Sequence, residues 1–465
     1  MRNPKLSTSR RVEAIERSWA DAGTGAVDKA AVREDLKTIA WGTAFPTEMR
    51  MAALEALLGD SDHRFDDDTR GMVRLMLPRE PDPQVVRELS EAAASRGWAE
   101  VTPALVRSLS RPWSGVSDRQ RPEYKALARL NPGTEVPLVV YGVFLHPPEE
   151  EPAFGVVPAE RVRSDAWDLL ARLDTGGELR SRLISEGADE SGPIVDMRAA
   201  LNELRTLPLT GDELRWLASL RTTSPQHSAW WDETRRAVSR LDGPRSTKLQ
   251  LRHMEPIRWA SQHRPDWVAM GRDELLREVR SRLEDRPVYR RSRRERDRIP
   301  PSPERLSDWE RTLSWADLLA ILVVDDALAD AALRRALFAQ AAMDRDDTSA
   351  EYGGVLRLEA SSPGEPGQFV VVLYPPRPGS RRGDRQFVAS TDMIAQSDHA
   401  VAHYHFHAQT VRNSDYAGPS PNDLAYAARY GRTCLVFTAV GDGLLNADLY
   451  QPDGVVLDLG VVQAP

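Results

Sequence analysis

Apolar residues recur at helical spacing through the first part of the chain. In 46–58, Met49, Met51, Ala52, Leu54 and Leu57 follow a near-helical period, and Gly59 and Asp60 stop it. Asp82 and Pro83 open a second helix carrying Val85, Val86 and Leu89, and its partner runs over 98–109 and ends before Pro112. Segments 165–173 and 197–207 continue the pattern more loosely. Helices of this length joined by short Asp/Pro turns predict stacked helical hairpins, a plan that offers surface rather than chemistry. The denser apolar run 136–145 fits a buried helix or a strand, because periodicity alone does not separate the two. From Ser314 the texture changes. A single alanine- and leucine-rich helix is expected over 325–343. Short strands follow at 354–358, 369–374, 386–389, 400–406, 435–440, 447–450 and 455–459, with a helix over 421–430 between the fourth and fifth. The fold class expected is multidomain: an all-α helical-repeat-like region, then an α+β domain built on a mostly antiparallel sheet.

Composition sharpens this division. At 465 residues the chain is too long for one ordinary core. All twelve tryptophans fall between Trp19 and Trp315, while four of the nine histidines crowd into 399–407. Seven arginines lie within 286–298, interrupted by Glu295 and Asp297 and followed by Pro300 and Pro301, so the stretch reads as a solvated linker. The expected organisation is therefore a helical region over 1–285, a linker over 286–313 and a second domain over 314–465. A formal net charge of −8 argues against a dedicated nucleic-acid binder. No apolar run approaches the roughly 20 residues needed to cross a bilayer, and the charged N-terminus lacks a secretory h-region. These features predict a cytoplasmic protein with no membrane partner. The lone cysteine, Cys434, excludes a cysteine-built zinc site. Any metal must be held by histidine and carboxylate.

His403, His405 and His407 alternate with Tyr404 and Phe406. On a strand, the three imidazoles share one face while the aromatic rings point into a core. Two imidazoles at i and i+2 can reach one metal, and both His403/His405 and His405/His407 satisfy that spacing. Neither a following Glu nor a following Asp-His pair is present, which argues against cupin-like and metallo-β-lactamase-like sites. Ser420, Pro421 and Asp423 form a good helix start, with Ser420 as N-cap and Asp423 at the third helical position. Glu351 enters a strand ahead of Gly353 and Gly354, whose lack of side chains permits close backbone approach.

Taken in order, Glu351 before a Gly-containing strand, His405 with His407, and Ser420 with Asp423 resemble the JAMM (MPN, or JAB) metalloprotease family. Tyr404 ahead of the pair fits as well and favours His405/His407 over His403/His405. The resemblance covers 314–465; the helical region more loosely resembles HEAT-like repeats. It implies an MPN-like domain with one Zn2+ held by His405, His407 and Asp423 and a water in the fourth position. It further implies Glu351 as general base outside the ligand set and Ser420 as hydrogen-bond donor to the oxyanion. Such enzymes cut peptide or isopeptide bonds, often removing ubiquitin-like modifiers, so the implied partner is a protein substrate recruited by the helical region. Two departures stand out: Ala408 where the family usually has Pro, and a longer stretch over 410–417 beside the expected cleft, which bears on substrate choice. A histidine-triad nucleotide hydrolase, needing no zinc, and a non-catalytic MPN-like scaffold remain as alternatives.

Overall fold

The computed structural model describes residues 5–148, 158–289, 303–359 and 367–465. The chain divides into two compact units, Met1–Arg180 and Ser181–Pro465.

The first unit is helical. Helices Lys29–Trp41 and Pro83–Ser95 begin where Asp28 and Asp82 accept from the amides of Ala30 and Gln84 at 3.0 and 2.9 Å, satisfying donors that the first turn leaves open. Helices Pro83–Ser95 and Thr102–Ser110 both pack on Pro122–Leu130, and their Val85, Val86, Leu89, Leu105 and Leu109 are all buried. Buried arginines hold the helix ends. Arg33 reaches Asp60 and Asp68 at 2.7 and 3.1 Å, and Arg121 takes the carbonyls of Ser108 and Leu109 while pairing with Glu123. The ambiguous run 136–145 is a helix, Val136–Leu145. Pro137 stands in its first turn, where no backbone donor is needed.

The second unit adds helices over Gly192–Leu283 to a six-stranded sheet. Among the described residues the strands are β1 (Ala350–Glu351), β2 (Gly353–Glu359), β3 (Gln368–Leu373), β4 (Gly383–Phe387), β5 (Ala400–His407), β6 (Cys434–Gly441), β7 (Leu444–Tyr450) and β8 (Val456–Gln463). The main sheet runs β3-β2-β5-β6-β7-β8 and is antiparallel except for the β5–β6 pair. That pair is parallel because helix Pro421–Tyr430 crosses over between the two strands. β1 and β4 form a separate parallel pair. The expected mostly antiparallel sheet is therefore present, with the expected crossover helix at 421–430.

One face of this sheet is apolar. Tyr404, Phe406 and Phe437 pack ring to ring there, and Tyr404 donates its hydroxyl hydrogen to Gln340, 2.5 Å away on helix Ala331–Asp346. Helix Trp315–Ala329 also lies against β5 and is buried on nearly all sides, as its uninterrupted apolar sequence requires. Ser314 caps it with Asp317, and the same buried carboxylate accepts from Arg252 at 2.7 Å. Asp317 is held well below the usual carboxylate range: burial opposes ionisation, but His253 and Arg252 outweigh it.

Two expectations are corrected. The helix expected over 325–343 is two helices, Trp315–Ala329 and Ala331–Asp346, because Asp330 adopts extended backbone and accepts from the Leu333 amide at 2.8 Å as an N-cap. The looser helix over 197–207 is a helix, Gly192–Ala199, followed by a π turn, Ala200–Leu204, that ends at Arg205 with φ 54°. The arginine-rich stretch lies mostly outside the described residues. On its described flanks, Arg286 donates to Asp325 at 2.5 Å and to the Leu459 carbonyl at 3.1 Å, and the Glu304 carbonyl accepts from the Asp458 amide of β8 at 2.9 Å. Among the described residues, no helix is long and apolar enough to cross a membrane.

Gly353 and Gly354 permit the approach expected of them. A Cβ on Gly354 would stand 2.0 Å from the Val372 carbonyl oxygen and 2.7 Å from the Tyr404 hydroxyl. Backbone cannot swing aside as a side chain can, so Gly354→Ala is expected to destabilise the chain by about 1–3 kcal/mol. The shift in the urea unfolding midpoint measures it, and an unchanged midpoint would contradict this packing.

Candidate metal centre

β5 is hydrogen-bonded on both sides, to β2 and β6, so its alternation is fixed and His403, His405 and His407 share one face. All three are buried, yet they do not share one environment. His403 Nδ1 lies 2.8 Å from the Tyr426 hydroxyl, and burial, with Arg432 second, keeps its ring neutral by pushing its pKa well below the usual value. His405 and His407 turn towards each other, with Nε2 to Nε2 at 3.3 Å. The structure thus pairs His405 with His407 and leaves His403 with Tyr426.

Helix Pro421–Tyr430 brings the third group. Its capping box is present as expected: the Ser420 amide donates to Asp423 Oδ2 at 2.7 Å, and Ser420 Oγ accepts from the Asp423 amide at 3.3 Å. The other carboxylate oxygen, Asp423 Oδ1, stands 3.4 Å from His405 Nε2. One side chain therefore caps the helix and faces the imidazoles at once.

Glu351 arrives from β1, where the register shifts between Ala350 and Glu351. The next residue fixes it: the Tyr352 amide donates to buried Asp344 at 2.6 Å. Glu351, His405 and His407 offer ligand atoms that all lie within 4.8 Å of one another. Phe387 of β4 stacks on the His405 ring at 5.1 Å between centroids. These groups open onto a cleft of about 890 Å3, whose walls include Phe387, Ser420, Tyr426 and Arg429.

Histidine and carboxylate are donor types that zinc takes. Two atoms each about 2.0–2.1 Å from one zinc at tetrahedral angles stand about 3.3 Å apart. The His405–His407 and His405–Asp423 separations of 3.3 and 3.4 Å meet that spacing. His407 Nδ1 lies 2.8 Å from the Tyr416 carbonyl oxygen, which can only accept, so the proton sits on Nδ1 and the Nε2 lone pair of the neutral ring is left facing the site. The Tyr450 hydroxyl stands 3.4 Å from His405 Nδ1.

Four participants were not legible in the sequence. Tyr416 acts through a backbone carbonyl, which no residue type announces. Tyr450 and Phe387 arrive from distant strands. Gln409, whose Nε2 donates to Glu351 Oε1 at 3.2 Å, continues the parity of His405 and His407, and that parity was its one available signal. The chain matches no protein-family model, no curated protein and no solved structure.

Without metal, the site is an ion pair. Burial pushes the His405 pKa down, but Asp423, with Glu351 and Asp344 behind it, raises it overall. Burial pushes Asp423 up, but His405 lowers it well below the usual carboxylate range. The Asp423 contribution exists above its unfolded pKa of about 3.9 and is lost as pH falls; the His405 contribution exists below about 6.5 and is lost as pH rises through its raised folded value. Asn at position 423 keeps the cap and removes the charge. In chelator-treated protein, the stability gap between the native chain and Asp423→Asn should be widest between about pH 4 and 6.5 and narrow above it. Urea unfolding across pH measures this, and a gap independent of pH would refute the pairing.

Proposed function

We propose that this chain is a zinc-dependent peptidase or isopeptidase of the JAMM type, with His405, His407 and Asp423 as ligands. The observation that carries the reading is the tetrahedral-ligand spacing of His405 Nε2 with His407 Nε2 and with Asp423 Oδ1, beside a buried Glu351. Zinc, when bound, supplies a Lewis acid that lowers the pKa of its water to about 7.

The chain's own residues supply the rest. Glu351 takes the water proton and delivers it to the leaving amine. Ser420, at the mouth of the helix Pro421–Tyr430, has a hydroxyl hydrogen to donate to the developing oxyanion, and the helix N-terminus favours negative charge at the same place. Phe387 covers the His405 ring and keeps water from that side. The cleft beyond them accepts a polypeptide segment, such as the C-terminal tail of a ubiquitin-like modifier joined to lysine, with the N-terminal helical unit as the recruiting surface. The histidine-triad reading is disfavoured because His403 is engaged by Tyr426 and does not join the other two rings.

Glu351 also lies close enough to be a ligand, so the roles are separated by substitution. Glu351→Gln in the full chain should keep one zinc per chain and lose hydrolysis of an internally quenched peptide mixture and a lysine-branched isopeptide by roughly a hundredfold or more. His407→Ala and Asp423→Asn should lose the zinc itself, because neither replacement offers an equivalent donor. Acid should do the same to the native chain below about pH 6.5, as imidazoles take up protons. Zinc content and turnover, read side by side, decide it: loss of zinc from Glu351→Gln would make that residue a ligand and end the assignment of base.

A further inference from the structure

The loop over 410–417 was expected to influence substrate choice. Its packing gives it a second task. Asn413 is buried at 7% exposure and is fixed at three points. Its amide donates to the Ala439 carbonyl at the end of β6 at 2.6 Å, and its side-chain Nδ2 donates to the His407 carbonyl at 3.1 Å and to Gln409 Oε1 at 2.5 Å. In turn the Asn413 carbonyl accepts from the Tyr416 amide at 2.8 Å, and the Tyr416 carbonyl receives His407 Nδ1.

These bonds have a direction. The His407 carbonyl can only accept, so the group of Asn413 facing it must be the NH2, whose two hydrogens are both used. Gln409 must then present its oxygen to Asn413 and its NH2 to Glu351. A donor at that position fixes which way the Glu351 side chain points. From this chain of bonds, which rests on the proposed zinc site, we infer that Asn413 is a positioning residue for both His407 and Glu351. Through the turn to Tyr416 it sets the tautomer and aim of the ligand. Through Gln409 it sets the orientation of the base. The loop belongs to the working parts of the site.

Asn413→Asp tests polarity at almost constant volume, because a carboxylate in that place faces two acceptors. In the folded full chain it should weaken zinc binding about ten- to hundredfold, the usual cost of losing a ligand's supporting bond, as read by competition with a chelator. Asn413→Ala should do likewise. Gln409→Met removes the bond to Glu351 and one of the three bonds of Asn413, but leaves those to the His407 carbonyl and the turn to Tyr416, so it should weaken zinc binding several-fold less than Asn413→Asp does. Nitrogen NMR of the histidine rings in metal-free protein gives a readout independent of zinc and turnover: His407 should be the Nδ1–H tautomer in the native chain and lose that preference in Asn413→Asp. Native zinc affinity and an unchanged tautomer in a folded Asn413→Asp variant would overturn the inference. Equal loss of zinc in Gln409→Met would overturn it too, since the effect would then be general loosening of the pocket. If the native chain binds no zinc, the proposed function fails while the tautomer measurement still decides the role of Asn413.

Discussion

The site depends on strand β5 being held on both edges. With β2 antiparallel on one side and β6 parallel on the other, β5 cannot slip by one residue without exchanging its two faces. A slip would put Tyr404 and Phe406 in the cleft and three imidazoles against helix Trp315–Ala329. Burying those rings against Phe437 is worth several kcal/mol by the usual scale for large apolar side chains, and that apolar face is what fixes the register of the polar one. The chemistry of one side of the strand is thus set by packing on the other. Gly353 and Gly354 extend the constraint to β2, where side chains would collide with the Tyr404 carbonyl and the Val372 carbonyl.

The parallel pairing of β5 with β6 has a consequence for Asp423. A parallel neighbour requires a crossover, and here the crossover is the helix Pro421–Tyr430. Its N-terminus emerges at the end of β5 where His405 and His407 lie. Ser420 and Asp423 would form the same capping box on a helix anywhere. Placed at this crossover, one oxygen of Asp423 satisfies the Ser420 amide and the other faces His405 Nε2. The cap and the approach to His405 use different oxygens of one carboxylate.

Much of this was legible because it rests on short-range rules. Period-two alternation placed the imidazoles on one face, and the Ser-Pro-x-Asp start and Gly431 stop marked the crossover helix to the residue. What was not legible depends on competition between neighbours. Asp330 breaks an otherwise continuous alanine- and leucine-rich segment because its side chain caps the Leu333 amide more favourably than it would sit in a helix interior. The choice between His403 and His407 rested in the sequence on family likeness alone; in the structure His403 is engaged by Tyr426, which lies twenty-three residues further on. The loop over 410–417 looked like an addition to the rim because a backbone carbonyl leaves no mark on residue type.

Charge distinguishes this site from an ordinary core patch. Glu351 and Asp423 are both buried beside two imidazoles, and the ion pair with His405 is what keeps Asp423 ionised there. A site built only for stability would replace such a group with apolar side chains at little cost. Two imidazoles and two carboxylates converging on one buried cleft are instead the donor types that the proposed divalent cation would use.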